Sequence, residues 1–143
     1  MNAGAGERAD SPAGHHRRRA GRRRAIEVLY EADVMGRRPS DVLEEWRSLG
    51  RPVSQFTTEL VAGVESTRDE IDAVLEANSD EWPVTRMPAV DRTVLRVALY
   101  ELRTGTPAGV AISEAVEAAN ELSTEDSGRF VNGILGRIAR EAE

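Results

Sequence analysis

Six arginines stand close together near the start of the chain, and their side chains have the clearest chemistry in this sequence. They form two groups of three, Arg17–Arg18–Arg19 and Arg22–Arg23–Arg24. A guanidinium group binds phosphate with two hydrogen bonds at once and stacks on bases. Arginine-rich segments are a known means of recognising RNA. The spacing therefore predicts a polyanion-binding surface, with a nucleic acid favoured over a plain solvated arm.

The formal net charge of −6 is unevenly distributed along the 143 residues. Residues 1–24 carry seven arginines and two acidic residues, a net charge of +5, whereas residues 25–143 carry 12 arginines and 23 acidic residues, a net charge of −11. A basic arm on an acidic body indicates a nucleic-acid or other anionic partner. Positive charges at a helix start oppose the helix dipole and repel one another. We therefore expect an external anion to compensate them.

The arginines lead into a segment with helical periodicity. Ile26, Leu29, Tyr30 and Val34 fall on one face, which predicts a first helix from Arg22 that stops at Gly36. The same spacing recurs in later segments, and polar or proline residues mark where they begin. These predicted helices follow Ser40, Ser54, Pro88, Pro107 and Thr124.

No stretch shows the sustained alternation of a β-strand. The sequence therefore predicts an all-α protein, a compact bundle of six or seven helices. One domain is expected over residues 17–143. Residues 1–16, rich in alanine, glycine, proline and serine, are expected to be a disordered tail. No apolar run is long enough to span a membrane and no secretory signal is recognisable, so we expect a cytoplasmic protein.

The residue types do not favour catalysis. The chain has no cysteine, and all 19 of its basic residues are arginine, so it has neither a thiol nucleophile nor a lysine for Schiff-base chemistry. His15 and His16 lie in the predicted tail without further ligands nearby, so no metal site and no cofactor is expected. We expect a binding protein and not an enzyme, with no catalytic residues.

Two aromatic residues are candidates for stacking on bases. Tyr30 lies on the arginine-bearing helix, and Phe130 follows Ser127-Gly128-Arg129 at a predicted helix start. Backbone amides and an arginine at such a position are suited to a phosphate. Core packing is favoured for three other rings, those of Trp46, Phe56 and Trp82.

Three segments of the second half carry a resemblance to a known family. They read LRVALYEL, VAISEAVE and DSGRFVNGILG, and together they are specific. Combined with the first helix, RRRAIEVLYEADVMG, they resemble the NusB family of bacterial transcription antitermination factors over about residues 17–140. The resemblance implies two small helical sub-bundles packed together. It also implies binding to the boxA element of ribosomal RNA leader transcripts, together with the ribosomal protein NusE, in an RNA polymerase antitermination complex.

The same resemblance assigns roles to individual residues by position. It implies RNA contacts for Arg17, Arg18, Arg19, Arg22, Arg23 and Arg24, and for Asp126, Ser127, Arg129 and Phe130. It implies contacts with the protein partner for Tyr30, Val34 and Asp91. Some family members have glutamate where this chain has Asp91, so the partner contact at that position stays open.

An alternative interpretation is a homodimeric helical interaction module, in which the dimer masks the RNA-binding arm. Light scattering with and without RNA separates the two interpretations. If six arginines meet RNA phosphates, the logarithm of the affinity should fall with the logarithm of the salt concentration with a slope near −4, from roughly −0.7 per phosphate. On this interpretation, alanine at Arg22, Arg23 and Arg24 weakens RNA binding and leaves the fold intact.

Overall fold

A computed structural model describes residues 12–142 of the chain. Within that range it contains seven α-helices and one short 3-10 helix, and no strand, which confirms the all-α prediction. The helices are α1 (Pro12–Met35), α2 (Pro39–Ser48), α3 (Gln55–Ser66), α4 (Arg68–Ala77), α5 (Ala89–Arg103), α6 (Ala108–Leu122) and α7 (Glu125–Glu141), with the 3-10 helix Val84–Arg86 between α4 and α5.

Helix α1 begins ten residues earlier than predicted, at Pro12 instead of Arg22. Proline is well suited to the first turn of a helix, because its missing N–H is not needed there. Residues 12–16 of the predicted disordered tail are therefore helical, and that part of the prediction is wrong. The remainder of the predicted tail, residues 1–11, lies outside the described residues.

The predicted boundaries hold at several other helix ends. Ser54 and Thr124 cap α3 and α7, because their hydroxyl oxygens accept hydrogen bonds from the backbone N–H of Thr57 and Ser127. Gly36 follows α1 with φ of 66°, a left-handed conformation that favours glycine. The long segment behind Ser54 is split at Thr67, whose backbone N–H and hydroxyl both donate to the carbonyl of Gly63.

The helices form two groups, which contact each other mainly through α1 and α5. Helices α1, α2 and α3 pack together, as do α5, α6 and α7, and α4 packs on α5. Helix α5 is the most enclosed, with nine of its 15 residues buried, as its continuous apolar pattern predicts. Fully buried side chains from both groups join in one core, among them Leu60, Leu95, Leu99, Val131 and Leu135.

The C-terminal half of α1 is fixed on α5 and α4 by a network of ion pairs. Arg92 Nε donates to Asp33 Oδ2 at 2.7 Å. Arg96 donates to both carboxylate oxygens of Asp72 at 2.9 and 3.0 Å, and its Nη1 lies 3.7 Å from Asp33 Oδ1. Because Arg96 and Asp33 are largely buried, the network holds α1 in one orientation across the two helix groups.

The N-terminal half of α1 approaches α3 closely at Gly21, between the two arginine groups. The Thr57 hydroxyl donates to the Gly21 carbonyl at 2.9 Å, and a Cβ at this position would lie only 2.9 Å from the Phe56 ring. A glycine is therefore needed for α1 to lie this close to α3. This contact holds α1 against α3 between Arg17–Arg18–Arg19 and Arg22–Arg23–Arg24, and so fixes the position of both arginine groups.

The three rings that were expected in the core differ in burial. Trp46 is 2% exposed and Phe56 is half-buried against the core, so core packing is confirmed for them. Trp82 is 43% exposed, so the prediction is wrong there. It lies in the connector before Val84–Arg86, where the Ser79 hydroxyl donates to its backbone carbonyl.

Candidate nucleic-acid interface

The arginines of α1 lie against α6, which presents three glutamates at helical spacing. Arg19 donates to Glu114 with two hydrogen bonds, Nε to Oε1 at 3.1 Å and Nη2 to Oε2 at 2.8 Å. Its Nη2 also lies 3.0 Å from Glu117 Oε1. One turn further, Arg23 binds both oxygens of Glu121 at 3.1 and 2.8 Å. Parallel hydrogen bonds of this kind are the strong form of an arginine–carboxylate pair.

These contacts alter the acidity of the α6 carboxyl groups. The hydrogen bond and the charge of Arg23 hold the pKa of Glu121 below its ordinary value. Partial burial raises the pKa of Glu114, but the hydrogen bond and charge of Arg19, with the charges of Arg22 and Arg23, outweigh it and lower that pKa. Both glutamates are therefore ionised at neutral pH and available to neutralise the arginines.

Arg22 differs from its neighbours because it is buried. Its Nε and Nη2 donate to the two carboxylate oxygens of Glu101 in α5 at 2.7 and 2.9 Å. The two side chains are only 6% and 3% exposed. The Thr106 hydroxyl donates to Glu101 Oε2 at 3.2 Å. The predicted RNA contact of Arg22 is incompatible with this burial, and its position makes it a structural residue that joins α1 to α5.

The expectation that an external anion compensates the arginines is therefore wrong for Arg19, Arg22 and Arg23. Glu101, Glu114, Glu117 and Glu121 already do so within the described chain. Sequence reasoning missed these partners. The spacing of residues 114, 117 and 121 matches one helix face, but nothing in a single sequence shows that this face meets α1.

Two further arginines of the arm, Arg18 and Arg24, lie over aromatic rings. The Arg18 guanidinium lies 4.4 Å from the centroid of the Phe56 ring, and that of Arg24 lies 6.0 Å from Trp46. Both side chains are half-buried, whereas Arg17 is exposed. A guanidinium that rests on a ring with one face keeps its other face and its N–H groups for a further partner.

The predicted RNA residues at the start of α7 are divided between surface and interior. Asp126 and Arg129 are exposed and form an ion pair with each other, and Phe130 is half-buried. Ser127 is 7% exposed, and its hydroxyl donates to Ser123 Oγ at 2.9 Å. The buried hydroxyl of Ser127 cannot meet a ligand without a local rearrangement, which leaves Asp126, Arg129 and Phe130 on the accessible side.

Two of the three predicted partner residues form an exposed apolar patch on α1. Tyr30, Val34 and the adjacent Met35 are 40%, 54% and 65% exposed. They line a shallow depression together with Trp46, on whose ring the Arg51 guanidinium stacks at 3.3 Å. An apolar surface with an aromatic residue and an arginine at its edge has the composition of a protein interface.

Asp91, the third predicted partner residue, is 3% exposed at the start of α5. Its Oδ1 is buried without a hydrogen-bond partner among the described residues. Burial raises the pKa of Asp91 above its ordinary value, and the Ser127 hydroxyl lowers it only in part. A direct partner contact does not fit this enclosure, and the carboxylate instead lies where α5 meets the start of α7.

Replacing Asp91 by asparagine should stabilise the protein at neutral pH. Because the native pKa is raised, the folded chain binds more protons than the unfolded chain just above pH 3.8, the ordinary value, and stability falls as the pH rises through that window. Asparagine does not titrate, so the melting temperature of the Asp91→Asn variant should exceed that of the wild type by about 3 °C at pH 7, which corresponds to about 1 kcal/mol in a domain of this size.

Thermal unfolding followed by circular dichroism between pH 3 and 7 measures this difference in melting temperature, which should disappear at the acidic end of the range. A constant difference would contradict the assignment to Asp91.

Other kinds of site find no support in residues 12–142. No group of three histidine, cysteine, aspartate or glutamate side chains there is arranged to hold a metal ion, and His15 and His16 are exposed on α1. None of the described helices is long and apolar enough to cross a membrane. The fold and the arginine surface together define an all-α protein whose first helix presents a cluster of arginines against the glutamates of α6.

The family model that matches this chain is the NusB family, over residues 19–140. The chain therefore belongs to the NusB family. Among its relatives, the transcription antitermination protein NusB of Saccharopolyspora erythraea is 48% identical over 85% of this chain and 86% of its own length. That of Kineococcus radiotolerans is 47% identical, over 88% and 95%. These relatives are named as transcription proteins and not as enzymes, in agreement with the expectation from the sequence.

Solved structures agree with the fold. T. maritima NusB has a TM-score of 0.75 and 33% identity, covering 87% of this chain and 91% of its own. A complex of the antitermination factors NusB and NusE with double-stranded RNA contains a chain with a TM-score of 0.77 and 25% identity, covering 87% and 96%. The two-part helical architecture implied by the resemblance is thus confirmed.

Proposed function

We propose that this chain is a transcription antitermination factor that binds the boxA element of ribosomal RNA leader transcripts together with the ribosomal protein NusE. As such it acts in the cytoplasm as part of an RNA polymerase antitermination complex. The family membership supports the transcription role, and the related NusB–NusE–RNA complex supports the two kinds of partner. The observation that carries the RNA interface is the arginine face of α1.

That face, formed by residues 17–24 of α1, offers five arginines to RNA. Arg17 and Arg19 are exposed, and Arg18, Arg23 and Arg24 are half-buried. Arg18 adds a flat guanidinium already stacked on Phe56, on which a base can stack in turn. Arg22 is excluded by its burial against Glu101.

The start of α7 extends the same face. Glu121, which binds Arg23, lies only four residues before Glu125, the first residue of α7. An RNA strand that leaves the arginines therefore passes the turn between α6 and α7, where Arg129 and Phe130 are accessible. There Arg129 can exchange its pairing with Asp126 for a phosphate, and Phe130 can support a base.

The apolar patch around Tyr30 and Val34 is the proposed contact for NusE. It lies on the same helix as the arginines, toward the other end, so one helix serves both partners. The acidic side chains of Glu27 and Glu31 border the depression. They complement a basic ribosomal protein, which binds RNA and so carries positive charge of its own.

The proposal is tested by measuring RNA affinity across salt, alone and with NusE. A boxA RNA should bind more tightly than a scrambled RNA of the same composition. For five phosphate contacts, the logarithm of the affinity should fall with the logarithm of the salt concentration with a slope of about −3.5, from about −0.7 per phosphate. Added NusE should tighten binding, and Val34→Asp, which places a charge in the apolar patch, should remove that gain without changing affinity for RNA alone.

Two results would count against the proposal. A flat salt response would show that phosphates are not bound by the arginines, and equal affinity for boxA and scrambled RNA would remove the stated target. Light scattering in the same buffers tests the homodimer alternative. A dimer through the exposed patch of Tyr30, Val34 and Met35 that persists at saturating RNA would show that assembly and RNA binding are independent.

A further inference from the structure

The three exposed or half-buried glutamates of α6 occupy the groups that RNA must bind. Two hydrogen bonds from Arg19 go to Glu114, a further contact goes to Glu117, and two from Arg23 go to Glu121. A phosphate and a carboxylate take the same bidentate geometry on a guanidinium. RNA cannot bind these donors while the carboxylates hold them.

We infer that Glu117 and Glu121 act as internal competitors that lower the affinity of the arginine face for polyanions. This inference rests on the RNA-binding function proposed above and concerns the same site. In the free protein the three carboxylates of α6 pair with two of the five accessible arginines, Arg19 and Arg23. In the RNA complex, phosphates replace Glu117 on Arg19 and Glu121 on Arg23, and these two glutamates turn to solvent.

Exposure separates the glutamates that can be displaced from those that cannot. The side chain of Glu121 is 54% exposed and that of Glu117 is 42% exposed, so each can leave its arginine and be hydrated. Glu114 is 12% exposed and Glu101 is 3% exposed, so neither carboxylate can become hydrated when its arginine is removed. The competitor role therefore belongs to Glu117 and Glu121, and the structural role belongs to Glu101.

Removing the charges of the glutamates distinguishes a competitor role from a positioning role, because the two roles predict opposite changes in RNA affinity. If the carboxylates served to align Arg19 and Arg23 for RNA, their loss would weaken binding. If they compete, their loss should strengthen it, because the arginines are freed and a negative charge near the phosphates is removed. Replacement by glutamine keeps the size and one acceptor oxygen of the side chain, so the variants isolate the charge.

The experiment compares Glu121→Gln, Glu117→Gln and their combination with a matched control, Glu70→Gln. Glu70 is also an exposed glutamate in an ion pair, 3.0 Å from Arg103, but it lies on α4. Affinities for boxA and scrambled single-stranded RNA are measured by fluorescence anisotropy at one salt concentration. Each α6 variant should bind both RNAs about threefold more tightly and the double variant about tenfold, whereas the control should change by less than twofold.

Each outcome decides a separate point. Weaker or unchanged binding by the α6 variants, with wild-type binding intact, would overturn the competitor role and leave the proposed function standing. A control variant that tightens as much as Glu121→Gln would assign the effect to net charge alone and also overturn it. Absence of RNA binding by wild type and variants alike would overturn the proposed function itself. Thermal unfolding of every variant confirms that the affinities refer to folded protein.

Discussion

Replacing Arg22 by alanine should lower the free energy of unfolding by about 3–5 kcal/mol, the usual cost of removing one partner from a buried ion pair. The reason is the position of Glu101, which is 3% exposed and receives two of its hydrogen bonds from Arg22. Without the guanidinium, the buried carboxylate of Glu101 keeps only the hydrogen bond from the Thr106 hydroxyl and has little contact with solvent. Urea unfolding followed by circular dichroism measures the loss, which is a large share of the 5–15 kcal/mol of a typical domain.

Two further variants make the prediction specific to the buried pair. Arg23→Ala removes an arginine one residue away whose partner, Glu121, is exposed, and it should cost less than about 1 kcal/mol. The double variant Arg22→Met with Glu101→Leu replaces both charges by apolar side chains of similar size and should recover most of the loss. Equal losses for Arg22→Ala and Arg23→Ala would contradict the structural role of Arg22.

This prediction changes how RNA binding can be tested. The sequence suggested that alanine at Arg22, Arg23 and Arg24 together would weaken RNA binding and leave the fold intact. With Arg22 buried against Glu101, that triple variant should be destabilised severely. A loss of binding in it would report unfolding, so the test has to use arginines whose removal does not expose a buried carboxylate.

The fold was largely predictable because its signals are local. Helical spacing, the caps at Ser54 and Thr124, and the stop at Gly36 each act within a few residues, and each was confirmed. The start of α1 and the division at Thr67 were missed. The start of α1 has only a weak local preference. The division at Thr67 comes from a local contact, the hydrogen bonds of its N–H and hydroxyl to the Gly63 carbonyl, which helical spacing alone does not reveal.

The candidate site was predictable in its residue types but not in its pairings. The arginine clusters identified the face, since no other segment has comparable positive charge. Which of the six is buried depends on the packing of α1 against α5 and α6, over separations of 79 residues for Glu101 and 95 for Glu114. The enclosure of Asp91 and Ser127 has the same origin, because both lie where helices meet. Contacts of this range cannot be obtained from the spacing in one sequence.

Replacing Arg18 and Arg19 together by alanine should weaken RNA binding about a hundredfold while the fold stays intact. Hydrogen bonds to charged groups contribute about 1.5–3 kcal/mol each, and about 2.7 kcal/mol corresponds to a hundredfold change in affinity. The salt slope should become shallower by about 1.4, because each of the two phosphates that is no longer bound accounts for about 0.7. The weakening should affect boxA and scrambled RNA alike, because phosphate contacts carry no sequence information.

The structure explains why these two arginines can be removed. The side chain of Arg19 is 48% exposed and its partner Glu117 is 42% exposed. Its other partner, Glu114, is 12% exposed but keeps Arg22 Nη1 at 4.0 Å when Arg19 is removed, so the loss of the Arg19 ion pairs should cost little stability. Arg18 contributes a contact with the Phe56 ring, a term of about 0.5–1 kcal/mol at an exposed site. The melting temperature should therefore change by only a few degrees, in contrast to Arg22→Ala.

The matched control removes two arginines elsewhere, with Arg47→Ala and Arg103→Ala in one chain. Both side chains are 42% exposed and ion-paired with exposed glutamates, and the residues they contact lie on α2, α3 and α4 and not on α1 or α6. The control should keep its affinity within about threefold, since exposed charges more than about 10 Å from the RNA are screened at 0.1 M salt. If the RNA affinity of the control fell as far as that of the Arg18 and Arg19 variant, the affinity would depend on the net charge of the protein, and the assignment of the interface to α1 would fail.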